Sequence, residues 1–114
     1  MQMLVHITNH ESAVNPIFSK LMEAGFHGAS VVDCEGMLSQ LNQDSDDAPA
    51  IVGSLRRFIN PERQHNKLIL IVLKDEEVPK AEEIIHAVSG DLKLPNTGIL
   101  FTVPVMRWEG IEQK

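Results

Sequence analysis

The chain of 114 residues has one cysteine, no tyrosine, one tryptophan and fewer basic than acidic side chains. A single thiol, Cys34, excludes an internal disulfide. Its 10 Lys and Arg against 16 Asp and Glu leave a net charge of -6. A protein that tracks a nucleic-acid backbone needs a basic stripe to displace counterions, so DNA and RNA are excluded as partners. The longest apolar run, residues 68–73, falls far short of the roughly 20 residues needed to span a bilayer. Met1, Gln2, Met3 and Leu4 lack the charged and apolar regions of a signal peptide. What is present is 43% hydrophobic and 23% charged, which excludes a chain disordered throughout. The expectation is one soluble, cytoplasmic domain over residues 1–114, with no insertion into a membrane.

Hydrophobic spacing then divides the chain. Residues 3–8 alternate, with Met3, Val5 and Ile7 on one face and Leu4, His6 and Thr8 on the other, which predicts a strand. Val14, Ile17, Phe18, Leu21 and Met22 recur at helical spacing and predict an amphipathic helix ending at Gly25. Asn9, Ser12 or Asn15 could cap it, and Pro16 fits only in or near its first turn. Residues 29–34 form a second strand bracketed by glycines. Residues 36–66 are a long connection: 40–49 are polar and acidic, while Ile51, Val52, Leu55, Phe58 and Ile59 predict a short helix closed by Asn60 and Pro61. A continuous apolar strand follows at 68–73, then a helix from about Glu76 with Val78, Ala81, Ile84, Ile85 and Val88 in one stripe, ended by Gly90. Residues 99–103 make a fourth strand that stops at Pro104. The order is β-α-β-β-α-β, an α+β, ferredoxin-like sandwich.

Both helices of such a sandwich cover one sheet face, yet the third strand is apolar on both sides and the fourth nearly so. A second copy burying the other face predicts a homo-oligomer. The competing expectation is that the Leu55 to Phe58 segment and Trp108 fold over that face within one chain.

Few residues carry obvious chemistry. His6, His10, His27, His65 and His86 are scattered without zinc-site spacing. His86 is expected on the solvent side of its helix and His6 in the oligomer interface. Cys34 has no partner motif and reads as a small buried or interface thiol. Asp44, Asp46 and Asp47 lack the glycine and the terminal glutamate of a calcium loop. Arg56, Arg57 and Arg63 could meet phosphate or an acidic partner, or form a solvated face. Pro95, Asn96, Thr97 and Gly98 form the better site candidate. Backbone N–H groups of such a loop, with the Thr97 hydroxyl and Asn96 amide, can cradle an anion, although the same four residues also make an ordinary turn.

Three segments together resemble the PII signal-transduction superfamily over nearly the whole chain: residues 21–31 (LMEAGFHGASV), 34–37 (CEGM) and 97–105 (TGILFTVPV). The resemblance implies a homotrimer with three intersubunit clefts for adenine nucleotides, ATP or ADP. It also implies a long loop that docks on a transporter, an enzyme or a transcription factor. Ser30 matches the family's adenine-side threonine, Gly36 the glycine at the loop root beside Met37, and Gly98 a glycine of the phosphate-binding loop with Asn96 and Thr97. Gln40 falls where the family places a glutamine near magnesium and 2-oxoglutarate, in a docking loop that here includes Arg56 and Arg57. The departures are specific. The lysine after the loop glycine is Ile99, the third-strand glutamate is Ile69, and of the paired arginines beyond the last strand only Arg107 stands nearby. There is no tyrosine to uridylylate.

The function implied is that of a non-enzymatic regulator with no resident cofactor, which senses a small effector and regulates a partner protein. A PII-fold sensor of another anion or metabolite, a metal-binding trimer and a small ferredoxin-like enzyme such as a cofactor-independent oxygenase are the alternatives.

Overall fold

In a computed structural model of the chain, the described residues are 1–37, 66–93 and 98–111. They form β1 (Gln2–Thr8), α1 (Val14–Glu23), β2 (Ser30–Cys34), β3 (Asn66–Leu73), α2 (Val78–Ser89) and β4 (Ile99–Pro104). The four strands make one sheet in the order β2-β3-β1-β4, with every neighbouring pair antiparallel. The architecture is α+β and compatible with a small ferredoxin-like fold. No helix among the described residues is long and apolar enough to cross a membrane.

Alternation along the strands decides what each sheet face carries. The register sets Leu4 against Ile71 and His6 against Ile69, so these four side chains share a face. On that face Leu4, Ile69, Ile71 and Leu73 join Val14, Ile17 and Leu21 of α1 and Val78, Ala81, Ile84 and Ile85 of α2 in one buried cluster. Each fully buried aliphatic side chain stabilises the fold by about 1.5–3 kcal/mol relative to exposure.

Both helices enter through a 3-10 turn. Residues Glu11–Ala13 precede α1, and the Ala13 N–H donates to the His10 carbonyl at 2.9 Å. None of Asn9, Ser12 and Asn15 caps the helix, because this turn already supplies backbone acceptors and leaves Ala13 at the cap position. Residues Asp75–Glu77 precede α2, where the Glu77 carboxylate accepts the Lys74 backbone N–H at 2.9 Å. Pro79 stands in the first turn of α2, where a missing N–H costs nothing.

Two side chains lie elsewhere than their spacing predicts. Met22 continues the α1 stripe in sequence but is 59% exposed, at the edge of the buried sector. His6 is fully buried under the helices rather than placed for an oligomer interface, because its strand parity puts it beside Leu4. His86 is exposed on α2, as predicted.

The other sheet face is also apolar. Strand parity places Val32, Leu68, Leu70, Val72, Ile99 and Phe101 there. Val32, Ile99 and Phe101 are 48%, 54% and 44% exposed, whereas Val5 at the centre is buried. The Leu55 to Phe58 segment lies outside the described residues, and Trp108 is itself 38% exposed.

Candidate functional site

Strand direction places the candidate residues. Cys34 pairs with Asn66, Thr8 with Lys67 and Ile7 with Ile99, so β2 ends and β4 begins at the same end of the sheet. Gly36 and Met37 follow β2 there, and Gly98 precedes β4 there. They stand at opposite edges, separated by β3 and β1, three strand spacings or on the order of 14 Å apart. Ser30 begins β2 opposite Leu70, and Arg107 lies beyond the far end of β4, where Pro104 pairs with Gln2. One chain therefore does not bring these groups into a single pocket. Gln40, Arg56, Arg57, Asn96 and Thr97 lie outside the described residues.

An open cleft of about 860 Å³ lies beside the C-terminal end of α2 and β4. Glu82, His86, Asp91, Lys93, Gly98 and Thr102 line it. Its floor is built by local chain reversal. Gly90 ends α2 with φ 78°, its N–H donating to the His86 carbonyl at 2.9 Å. The Asp91 carboxylate then accepts the Lys93 N–H at 2.9 Å, closing a turn. Lys93 and His86 line it together with Glu82 and Asp91, so its basic side chains are interleaved with carboxylates.

Gly98 is demanded by the chain's own packing. Its φ is 102°, and a Cβ there would stand 2.2 Å from the Ile7 carbonyl oxygen. The glycine lets β4 begin flush against the backbone of β1, a role that does not depend on any ligand. At Gly36 an added Cβ would meet the Asn66 side-chain amide at 3.0 Å, so β2's exit packs tightly on β3's entry. That junction is also tied electrostatically: the Lys67 ammonium pairs with the Asp33 carboxylate and, at 3.6 Å, with Glu11. The bond to Asp33 is the main reason that the Lys67 ammonium holds its proton more tightly than usual. Sequence spacing could not reveal this triad, because only the β2–β3 register sets Asp33 opposite Lys67.

His6 was visible in the sequence, but its partners were not. Its Nδ1 lies 2.9 Å from the Ile99 carbonyl oxygen and its Nε2 3.2 Å from the Ser89 hydroxyl. A carbonyl only accepts, so Nδ1 carries the proton and Nε2 receives the Ser89 hydroxyl. Burial lowers the proton affinity of this ring, the Ile99 carbonyl opposes that effect, and the charge of His86 adds to it. Asn9, just past β1, keeps its side-chain oxygen buried without a hydrogen-bond partner among the described residues. Among the described residues no group of three or more His, Cys, Asp or Glu side chains is placed to hold a metal ion.

A second concavity of about 520 Å³ lies at the opposite end of the sheet, between Phe26, His27, Lys74, Glu77 and the tail residues Gly110 and Ile111. His27 lines it, but none of Ser30, Gly36, Met37, Gly98 and Arg107 does. No known family model matches the chain, and no characterised protein matches it in sequence.

Proposed function

We propose that this protein is a PII-like regulatory subunit. Three copies pack their apolar sheet faces together, bind an adenine nucleotide in the clefts between them, and report occupancy through the 36–66 connection to a partner protein. The observation that carries this reading is the split site. Gly36 and Met37 stand at one edge of the sheet and Gly98 at the other, so a compact pocket holding both would be built from two copies of the chain. Edge-to-edge association would bring one copy's β2 exit beside its neighbour's β4 entry. The exposed Val32, Ile99 and Phe101 on the second sheet face supply apolar area for such packing.

The 860 Å³ cleft beside Gly98 is large enough for the phosphate end of a nucleotide, and Lys93 is the described lysine that lines it. With isoleucine at 99 in place of the family's lysine, a charge-assisted phosphate contact worth about 1.5–3 kcal/mol is missing relative to the family pattern. Weak affinity or a different anion follows unless Lys93 or Arg107 compensates. A ligand with unequal affinity for two arrangements of the long connection shifts their populations, and so alters the surface offered to a partner.

Calorimetric titration with ATP, ADP and AMP, with and without magnesium, tests the reading alongside sedimentation equilibrium. Saturable binding near one nucleotide per chain by a trimer is expected. A monomer, or a trimer that takes up no nucleotide at millimolar concentration, would overturn the nucleotide-sensing reading. In the second case another anion or metabolite becomes the leading ligand.

A further inference from the structure

His6 holds both ends of the 90–98 connection with one ring, since Ile99 opens β4 and Ser89 closes α2. The two ties respond differently to a proton. A charged imidazole still donates from Nδ1 to the Ile99 carbonyl, and more strongly. At Nε2, however, an acceptor becomes a donor and faces the proton of Ser89. Ser89 must then turn its hydroxyl, most simply toward the carbonyl four residues back in the helix, that of Ile85.

The surroundings leave few other groups to absorb the charge. Ile69 of β3 and Leu100 of β4 stand opposite His6 in the sheet, and the buried residues of α1 are Val14, Ile17 and Leu21. From α2 come Ser89 and His86, the latter of like charge when protonated. Lys67, two residues before Ile69 on β3, is engaged by Asp33 and Glu11, while Glu82, Asp91 and Lys93 line the adjoining cleft.

We propose that His6 is a proton-linked positioning residue: its neutral ring accepts from Ser89 and its protonated ring donates to it, so protonation rearranges the hydrogen bonding of the last turn of α2 at the edge of the cleft while β4 stays fixed. The proposal does not depend on the nucleotide reading. The responding unit is residues 86–90, where Gly90 is held to His86 by one backbone bond.

Nuclear magnetic resonance on the full chain, labelled with nitrogen-15, tests this between about pH 8 and pH 5. At the alkaline end the His6 ring is expected as the Nδ1–H tautomer. On acidification its midpoint should fall below 6.5, the ordinary value for the ring. The amides of Ser89 and Gly90 should follow that midpoint, while those of Leu21 and Ile71 stay in place. In His86→Gln the midpoint should rise and the coupled amide shifts persist. The proposal fails if those shifts vanish in His86→Gln, if the ring titrates while Ser89 and Gly90 stay still, or if His6 remains neutral until every amide collapses together.

Discussion

At the scale of single residues, three side chains carry more than their type suggests. Gly98 looks like a ligand-contact glycine, but its positive φ and the 2.2 Å that would separate an added Cβ from the Ile7 oxygen make it structural first. Gly98→Ala should cost more in urea unfolding than the roughly 1–3 kcal/mol of its positive φ alone, because the added Cβ meets backbone, and any loss of binding in a Gly98 variant would then be ambiguous. Lys93→Ala is the cleaner probe: stability unchanged and ATP affinity reduced several-fold, measured by calorimetry. Asn9 leaves a buried oxygen unpaired among the described residues, a cost on the order of 1–3 kcal/mol. Asn9→Leu is therefore expected to unfold at equal or higher urea concentration. If it also abolishes ligand binding, the orphan oxygen belongs to the site. His6 makes stability depend on pH. Because burial lowers its proton affinity in the folded chain, the unfolded chain binds that proton more readily. The contribution is complete above the unfolded value of 6.5 and declines as pH falls toward and through the lower folded value. Urea midpoints should accordingly drop as pH is lowered through that window.

At the scale of elements, the helix stripes were legible because each core position repeats at a period matching the helix. Val78, Ala81, Ile84 and Ile85 are all buried. For α1 the same reading holds for Val14, Ile17 and Leu21 but fails at Met22, which lies past the edge of the sector that the sheet can cover. Leu21→Ala should lower stability by about 2–5 kcal/mol, and Met22→Ala by no more than roughly 0.5 kcal/mol, in the same denaturation assay. Helix starts were less legible. Three side chains competed as caps in the sequence, and a 3-10 turn satisfied the first N–H groups without any of them. Capping rules rank side chains, whereas here the backbone of the preceding turn supplied the acceptor.

At the scale of the whole molecule, the apolar second face of the sheet and the split site both concern what lies between chains. If the face joins three copies, Phe101→Glu should yield a folded monomer. Sedimentation would then show one-third of the mass, with the circular dichroism spectrum retained. A wild-type chain that sediments as a monomer at any concentration would instead assign that face to cover from within the chain.

Periodicity along the sequence by itself determined the four strands, the two helices, their order and which side chains share a face, because these depend on spacing between near neighbours. The β2-β3-β1-β4 order and its register had to come from the folded sheet. Register is a relation between segments far apart in the chain. It alone sets Asp33 beside Lys67, brings Ile99 and Ser89 to the two nitrogens of His6, and presses Gly98 onto the carbonyl of Ile7. The charges and hydrogen bonds of the candidate site follow from those juxtapositions, and no spacing along the chain encodes them.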